Sequence, residues 1–270
     1  MIDVALVLSC IALLSALVLA VWRGLRGRAR GRRAVLRLGA AILAAVVIVF
    51  AAAWQVSRSP AFQLLGTFVD RVDTGRKIVA LTLDDGPTPE LTAEVLSILR
   101  QHGARATFFV TGSELERNLD LGRAIVRDGH ALGNHSYSHT RMLGRSLGFI
   151  ADELEKTDRL IRAAGHTGPI YFRPPYGKKL VALPYYLHQT GRTSILWDIE
   201  PESDPAAESP EQMAAHVLAR VQPGSIILLH VMYPSRETSR RALPDILVGL
   251  QARGYEIVPV SELLRAAGAT

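Results

Sequence analysis

The sequence predicts an α/β fold: a parallel barrel of strands and helices set behind a membrane-spanning helical hairpin. Three observations predict it. From residue 76 onward, short β-rich runs alternate with helical stretches, which implies parallel pairing, and about seven such units suggest a barrel. Polar clusters recur just after these runs, where parallel barrels carry their active sites. Before residue 55 lie two long apolar runs around an arginine-rich loop.

The first apolar run is Val4 to Trp22, nineteen residues without a charge, and the second is Leu38 to Trp54, seventeen residues. Each is near the roughly 20 residues that cross a bilayer as a helix. Between them, seven arginines and no acid lie from Arg23 to Arg37. Such a loop stays in the cytoplasm, so both ends of the hairpin face outward. A single span at 38–54 is the alternative. A cleaved signal peptide fits poorly, because Asp3 is the only charge ahead of the first run and no small-x-small site follows it. Cys10, the only cysteine, reads as a helix residue inside that run and allows no intrachain disulfide.

The formal net charge is +6, yet residues 76–270 carry twenty-two Lys+Arg and twenty-two Asp+Glu. The excess belongs to residues 1–75, with nine basic and three acidic residues. The larger part therefore has no basic footprint for nucleic acid. The expected organisation is an anchor over 1–54, a connector over 55–75 and a catalytic domain over 76–270.

The elements follow in order. Residues 77–83 (KIVALTL) read as a strand. Thr88-Pro89 resembles an N-cap and first-turn proline, opening a helix that Gly103 ends. ATFFV at 106–110 is a second strand, and Ser113 with Glu116 has capping-box spacing for the next helix. A short strand is expected at 130–133 and a long amphipathic helix at 146–164. Further strands are expected at 170–172, 193–197, 225–229 and 255–258. Helices are expected at 180–190, 209–221 (from Ser209-Pro210), 238–253 and 261–267.

The polar residues at these strand ends carry the chemistry. Asp84-Asp85 follows the first strand, and His135-Ser136-Tyr137-Ser138-His139 follows the third. One carboxylate with two histidines is the inner shell of a catalytic zinc-type site, which leaves positions open for water and substrate. The second aspartate is spare and suits a general base. On one helical turn, His135 and His139 would face the same side. By themselves, Asp84-Asp85 equally suit a capped turn and the histidine pair a surface site. Arg173, in the rigid Arg173-Pro174-Pro175-Tyr176-Gly177 loop, can hold a carboxylate through two hydrogen bonds. His230 ends an apolar strand and suits a general acid. His102, His130, His166, His188 and His216 read as surface or structural residues.

Four ordered motifs resemble the polysaccharide deacetylases of the NodB-homology, carbohydrate esterase 4 type. They are Thr82-Leu83-Asp84-Asp85-Gly86, His135-Ser136-Tyr137-Ser138-His139, Arg173-Pro174-Pro175-Tyr176 and Leu228-Leu229-His230. The resemblance covers about residues 76–265. It implies a distorted (β/α) barrel and metal-dependent removal of acetyl groups from N-acetylated sugars. It makes Asp84 the base, and Asp85, His135 and His139 the ligands of one divalent metal, zinc by default, with cobalt or nickel also fitting. It makes Arg173 the tether of the base, His230 the acid and the Tyr176 amide an oxyanion donor. Leu228 and Pro175 would line the acetyl pocket. The fourth motif departs from the family: Trp197-Asp198-Ile199-Glu200-Pro201-Glu202-Ser203-Asp204 has no later tryptophan. Glu200 is the expected partner of Arg173, with Asp198 next. Val231 stands after His230, where an aspartate is frequent. The expected protein is thus a membrane-anchored extracytoplasmic N-deacetylase acting on an acetylated glycan. An O-acetyl carbohydrate esterase and a catalytically silent glycan-binding protein are the alternatives.

Overall fold

The computed structural model describes residues 32–59 and 61–267. The expected first membrane helix at 4–22 lies outside these residues. Helix α1 runs Arg32–Arg58, longer at both ends than the apolar run, because arginine, alanine and leucine all favour helix. Its segment Leu36–Arg58 spans 23 residues and contains an 18-residue stretch of mean hydropathy 2.4 with no buried residue, long and apolar enough to cross a bilayer.

The strands are β1 Phe68–Val69, β2 Ile78–Asp84, β3 Thr107–Val110, β4 Ala131–Asn134, β5 Ser194–Ile195, β6 Ile226–His230 and β7 Glu256–Val258. The helices that alternate with them are α2 Thr92–Gln101, α3 Gly112–Arg117, α4 Leu119–Arg127, α5 Leu147–Ala163, α6 Ala182–Gln189, α7 Pro210–Arg220, α8 Glu237–Ala252 and α9 Val260–Ala267. All strand pairs are parallel: the order is β4-β3-β2-β6, β7 joins the start of β2, and β1 pairs with β5. Single parallel bridges join Asn134 to Phe172, Phe172 to Ser194 and Ile199 to Ile227.

Strand β2 is buried along its whole length, as expected where both faces of a parallel sheet are covered. Its alternation sorts two cores. Val79, Leu81 and Leu83 pack with Phe108, Val110, Leu229 and the helices. Ile78 and Ala80 face the other way, packing with Phe109, Ile195, Ile226 and Val258. Continuing that parity puts Thr82 and Asp84 on the second face, paired in register with Leu228 and His230. The pattern of β2 therefore delivers two polar residues to the strand's C-terminal end on one side. Gly133 on β4 belongs to this packing, since a Cβ there would lie 2.5 Å from the Phe109 ring.

Several expected boundaries shift for local reasons. Helix α2 begins at Thr92, because Thr92 Oγ1 and Thr88 bond to each other across the preceding turn. The Ser113–Glu116 box does not form; α3 starts at Gly112, and the Thr111 hydroxyl donates to Glu114 instead. The box at Ser209–Gln212 does form. The 170–172 run contributes only the Phe172 bridges, and the 193–197 run keeps only two strand residues. Beyond Ile195, carbonyls that would continue the ladder are taken by Arg173. The 55–75 stretch is more than a tether: Val56, Ser57, Ser59 and Val72 are buried, and β1 lies within it.

Candidate active site

The strand ends bring Asp84, Asp85, His135, His139, Arg173 and His230 together. Asp84 is the last residue of β2 and is 2 % exposed. Asp85 follows with φ 77°, so the chain turns there and the two neighbouring carboxylates part. Arg173, fully buried, crosses the interior to Asp84: Nη1 donates to Asp84 Oδ1 at 2.6 Å and to Thr82 Oγ1 at 2.9 Å. Its Nε and Nη2 donate to the carbonyls of Ile195 and Leu196, both at 3.0 Å. The guanidinium also lies 4.2 Å from the centre of the Phe109 ring. A cation held this way is rigid, and so is the carboxylate it holds.

His135 and His139 do not sit on a helix, correcting the helical spacing argument. Residues 135–140 form a loop, with Ser136 at φ 66° and His139 at φ 55°. Its amides are stapled by side chains. Asn134 Oδ1 accepts from Ser136 N at 2.8 Å, and Glu153 from α5 accepts from Tyr137 N and Ser138 N at 3.0 and 2.8 Å. His139 N donates to Ser136 Oγ at 3.1 Å. His135 Nδ1 donates to the Arg173 carbonyl at 2.8 Å, which leaves Nε2 with its lone pair toward the site. That nitrogen is 3.6 Å from Asp84 Oδ2, and His139 Nε2 is 3.5 Å from Asp85 Oδ1. One donor atom each from Asp85, His135 and His139 lies within 4.8 Å of the other two. Two imidazoles and one carboxylate suit a borderline divalent ion with open positions.

The titration of these groups sorts them. Burial pushes the Asp84 carboxyl up, but Arg173, His135 and His230 outweigh it and hold it below the ordinary carboxylate value. Burial lifts Asp85, with the charges of Asp84 and Glu114 adding to it. Burial lowers both His135 and His139, favouring the neutral form that binds metal.

Across the register pair from Asp84 stands His230. Glu202 accepts from both its ring Nδ1 and its backbone N–H, the latter at 2.8 Å. Ser239 Oγ donates to the same carboxylate at 2.5 Å. Burial works against a charged imidazole here, yet the Glu202 bond and charge overcome it and raise His230 to about 9.

Sequence reading missed Glu202 and chose Glu200 for a different task. Glu200 makes no hydrogen bond to Arg173, although its charge favours the guanidinium: its Oε2 accepts the Trp197 indole N–H at 3.0 Å, and the Arg173 donors go to Asp84, Thr82 and two carbonyls. Asp198, the second choice, accepts from Ser225 Oγ and Ile226 N at the start of β6. Asp204 pairs with His216 at 2.7 Å. Four acids within seven residues thus serve four different partners. Glu200, Glu202 and His230 also group within 4.8 Å, but Glu202 is committed to the histidine. Leu228 is buried beside Thr82, and Pro175 is buried next to Tyr176. Tyr176 has φ 58° and a half-exposed ring 4.7 Å from that of His139.

A family model for polysaccharide deacetylase matches residues 71–195. A chitooligosaccharide deacetylase from a Bradyrhizobium species is 34 % identical over 202 residues, covering 70 % of this chain and 92 % of its own. The chain belongs to the polysaccharide deacetylase family. As a member it is a carbohydrate N-deacetylase, a hydrolase. A crystal structure of a peptidoglycan N-acetylglucosamine deacetylase superposes on this deacetylase with a TM-score of 0.68 at 29 % identity, covering 73 % of this chain and 92 % of that one. A carbohydrate esterase family 4 pseudoenzyme from Bacillus anthracis matches at a TM-score of 0.66 and 29 % identity, covering 75 % and 70 %. The fold therefore also occurs in a protein described as lacking enzyme function, which makes the site residues the deciding feature.

Proposed function

We propose that this deacetylase removes N-acetyl groups from an amino-sugar glycan at the outer face of the membrane, with one divalent metal, zinc first, held by Asp85, His135 and His139. The observation that carries it is the facing of two groups in opposite protonation states. Asp84 is tied to Arg173 as an anion, and His230 is kept cationic by Glu202, in register on neighbouring strands.

The metal supplies Lewis acidity and lowers the pKa of water. Asp84 takes the proton of the attacking water, since its anionic form is favoured and Arg173 fixes where it points. His230 gives its Nε2 proton to the leaving nitrogen, with Nδ1 occupied by Glu202. The Tyr176 N–H takes the role of oxyanion donor. Leu228 and Pro175 form the apolar wall for the acetyl methyl group. The bridges through Phe172, Ser194 and Ile199 support the distorted (β/α) barrel. Residues 4–22 would make the first membrane crossing and α1 the second, leaving the catalytic domain outside. The helix Leu36–Arg58 supports that placement.

Acetate release by the full chain from N-acetylglucosamine oligomers, peptidoglycan and an O-acetylated xylan tests the reading. Release from the N-acetylated substrates that disappears on chelation and returns with zinc is expected. Release from the O-acetylated substrate alone would replace it with an esterase.

A further inference from the structure

The loop that carries the site also carries the end of α1. From Arg173 it passes Tyr176 and reaches Lys178 and Lys179 within six residues, a reach of at most about 20 Å. Lys179 is buried; its backbone N–H donates to the Ser57 carbonyl at 2.9 Å and its ammonium to the Ser59 carbonyl at 2.6 Å. The Lys178 ammonium lies 4.6 Å from the centre of the Trp54 ring. Carbonyls at the helix end, which have no partner within a helix, are thereby satisfied by the catalytic loop. The site and the helix end are fixed to each other.

The surface around this junction is mainly basic and apolar, with Asp70 near Lys179 as an acid. Arg58 and Arg141 are exposed and Lys178 is half-buried, and each arginine is close enough to Lys178 for its charge to repel the ammonium. The Arg141 guanidinium lies 4.8 Å from the centre of the Tyr176 ring. Leu64, Leu65, Val181 and Tyr185 are exposed apolar residues. The segment holding the two leucines lies against α6, since a Cβ on Gly66 would be 3.4 Å from Pro184 and His188. Trp54, also exposed, is in the last turns of the apolar helix, where aromatic rings sit at a membrane interface.

We propose that this face lies on an anionic phospholipid surface, so that the site's rim at Tyr176 opens at headgroup level and the deacetylase takes a glycan tethered to the membrane. The occupant follows from continuity with an apolar helix of spanning length and from three cations facing phosphate. The inference rests on the anchor and deacetylase readings above and deepens them by naming where the substrate is held.

The test uses the full chain in nanodiscs, with Cys10→Ser and a single spin label. A label at Val181→Cys should be relaxed by oxygen and shielded from a water-soluble nickel chelate in discs containing anionic lipid. A label at Arg76→Cys, exposed ahead of β2 at the far end of the strand from Asp84, should behave oppositely. Equal exposure of both labels to the nickel chelate overturns the face, whether or not acetate is released. In a second arm, Arg58→Glu with Lys178→Glu should lower acetate release from a lipid-tethered chitooligosaccharide roughly tenfold, and from a soluble one less than about twofold. Equal losses on both substrates, or none on the tethered one, overturn it too. Absence of acetate from both substrates with the unsubstituted chain refutes the deacetylase reading but leaves the label result to decide the face. Release of the chain from membranes by alkaline carbonate refutes the anchor, and the face with it.

Discussion

Glu202→Gln removes a charge while keeping a side chain of the same shape beside His230. The rise of His230 from 6.5 to about 9 is worth about 3 kcal/mol at 1.36 kcal/mol per unit. The causes that raise it begin with the Glu202 hydrogen bond and charge, and burial opposes them. Without that charge the imidazole falls back toward 6.5, with only the Asp84 and Asp85 charges still favouring its cation against burial. At pH 8 a group of pKa 9 is about 90 % protonated and one of pKa 6.5 about 3 %, so kcat/KM should fall about thirtyfold there. At pH 6 the same two groups are about 100 % and about 76 % protonated, so the loss should be less than twofold. The assay is acetate release from chitooligosaccharide between pH 5 and 10, with metal content measured at each point. The alkaline limb should move from about 9 down toward 6.5. Stability should change with the same sign. A histidine whose folded pKa is raised contributes fully below 6.5 and loses that contribution as pH rises through about 9. The melting-temperature gap between parent and variant should therefore narrow over that window. An alkaline limb still near 9 in Glu202→Gln would refute the assignment of Glu202 to His230.

His139→Ala should leave little bound zinc by metal analysis and no measurable turnover, and stoichiometric metal with full turnover would remove His139 from the ligand set. Arg173→Met strands Asp84 as a buried unpaired acid, a loss on the order of 3–5 kcal/mol read by denaturant unfolding, with turnover lost as well. Asp84→Asn should retain the metal and lose activity by several orders of magnitude, separating the base from the ligand set. Glu200→Gln should stay within about twofold of parent turnover, because an amide oxygen still accepts the Trp197 N–H; a collapse with metal retained would restore Glu200 to a catalytic role.

Much of the site was legible because strand ends gather what the chain scatters. Asp84, Asp85, His135, His139, Arg173 and His230 are distinctive residues placed just after apolar runs, and alternation along β2 puts Asp84 on the inner face. What the sequence hid were choices among equals. In the stretch from Asp198 to Asp204, four acids compete, and backbone geometry through the short turn at Pro201–Ser203 decides that Glu202 meets His230. The histidine pair was read as a helical turn because i, i+4 spacing carries no record of positive φ at Ser136 and His139. The support of that loop comes from Glu153, 14 residues beyond His139 and inside α5, a contact that no local pattern marks. The short β5 was over-read for a related reason: its missing ladder bonds go to Arg173.

The parity of β2 has a consequence for how such an enzyme tolerates change. Every residue from Ile78 to Asp84 is buried, so swaps among valine, isoleucine and leucine there cost packing and little else. Length is another matter. Deleting one residue between Ile78 and Leu83 while the strand start stays paired would turn Asp84 toward the helices and drop an aliphatic side chain beside Arg173. One missing residue would take Asp84 away from Arg173 and pull Asp85 out of its group with His135 and His139 into the vacated register slot opposite His230. The strand is thus forgiving in spelling and strict in count, and libraries that vary its identities at fixed length should retain function where single deletions abolish it.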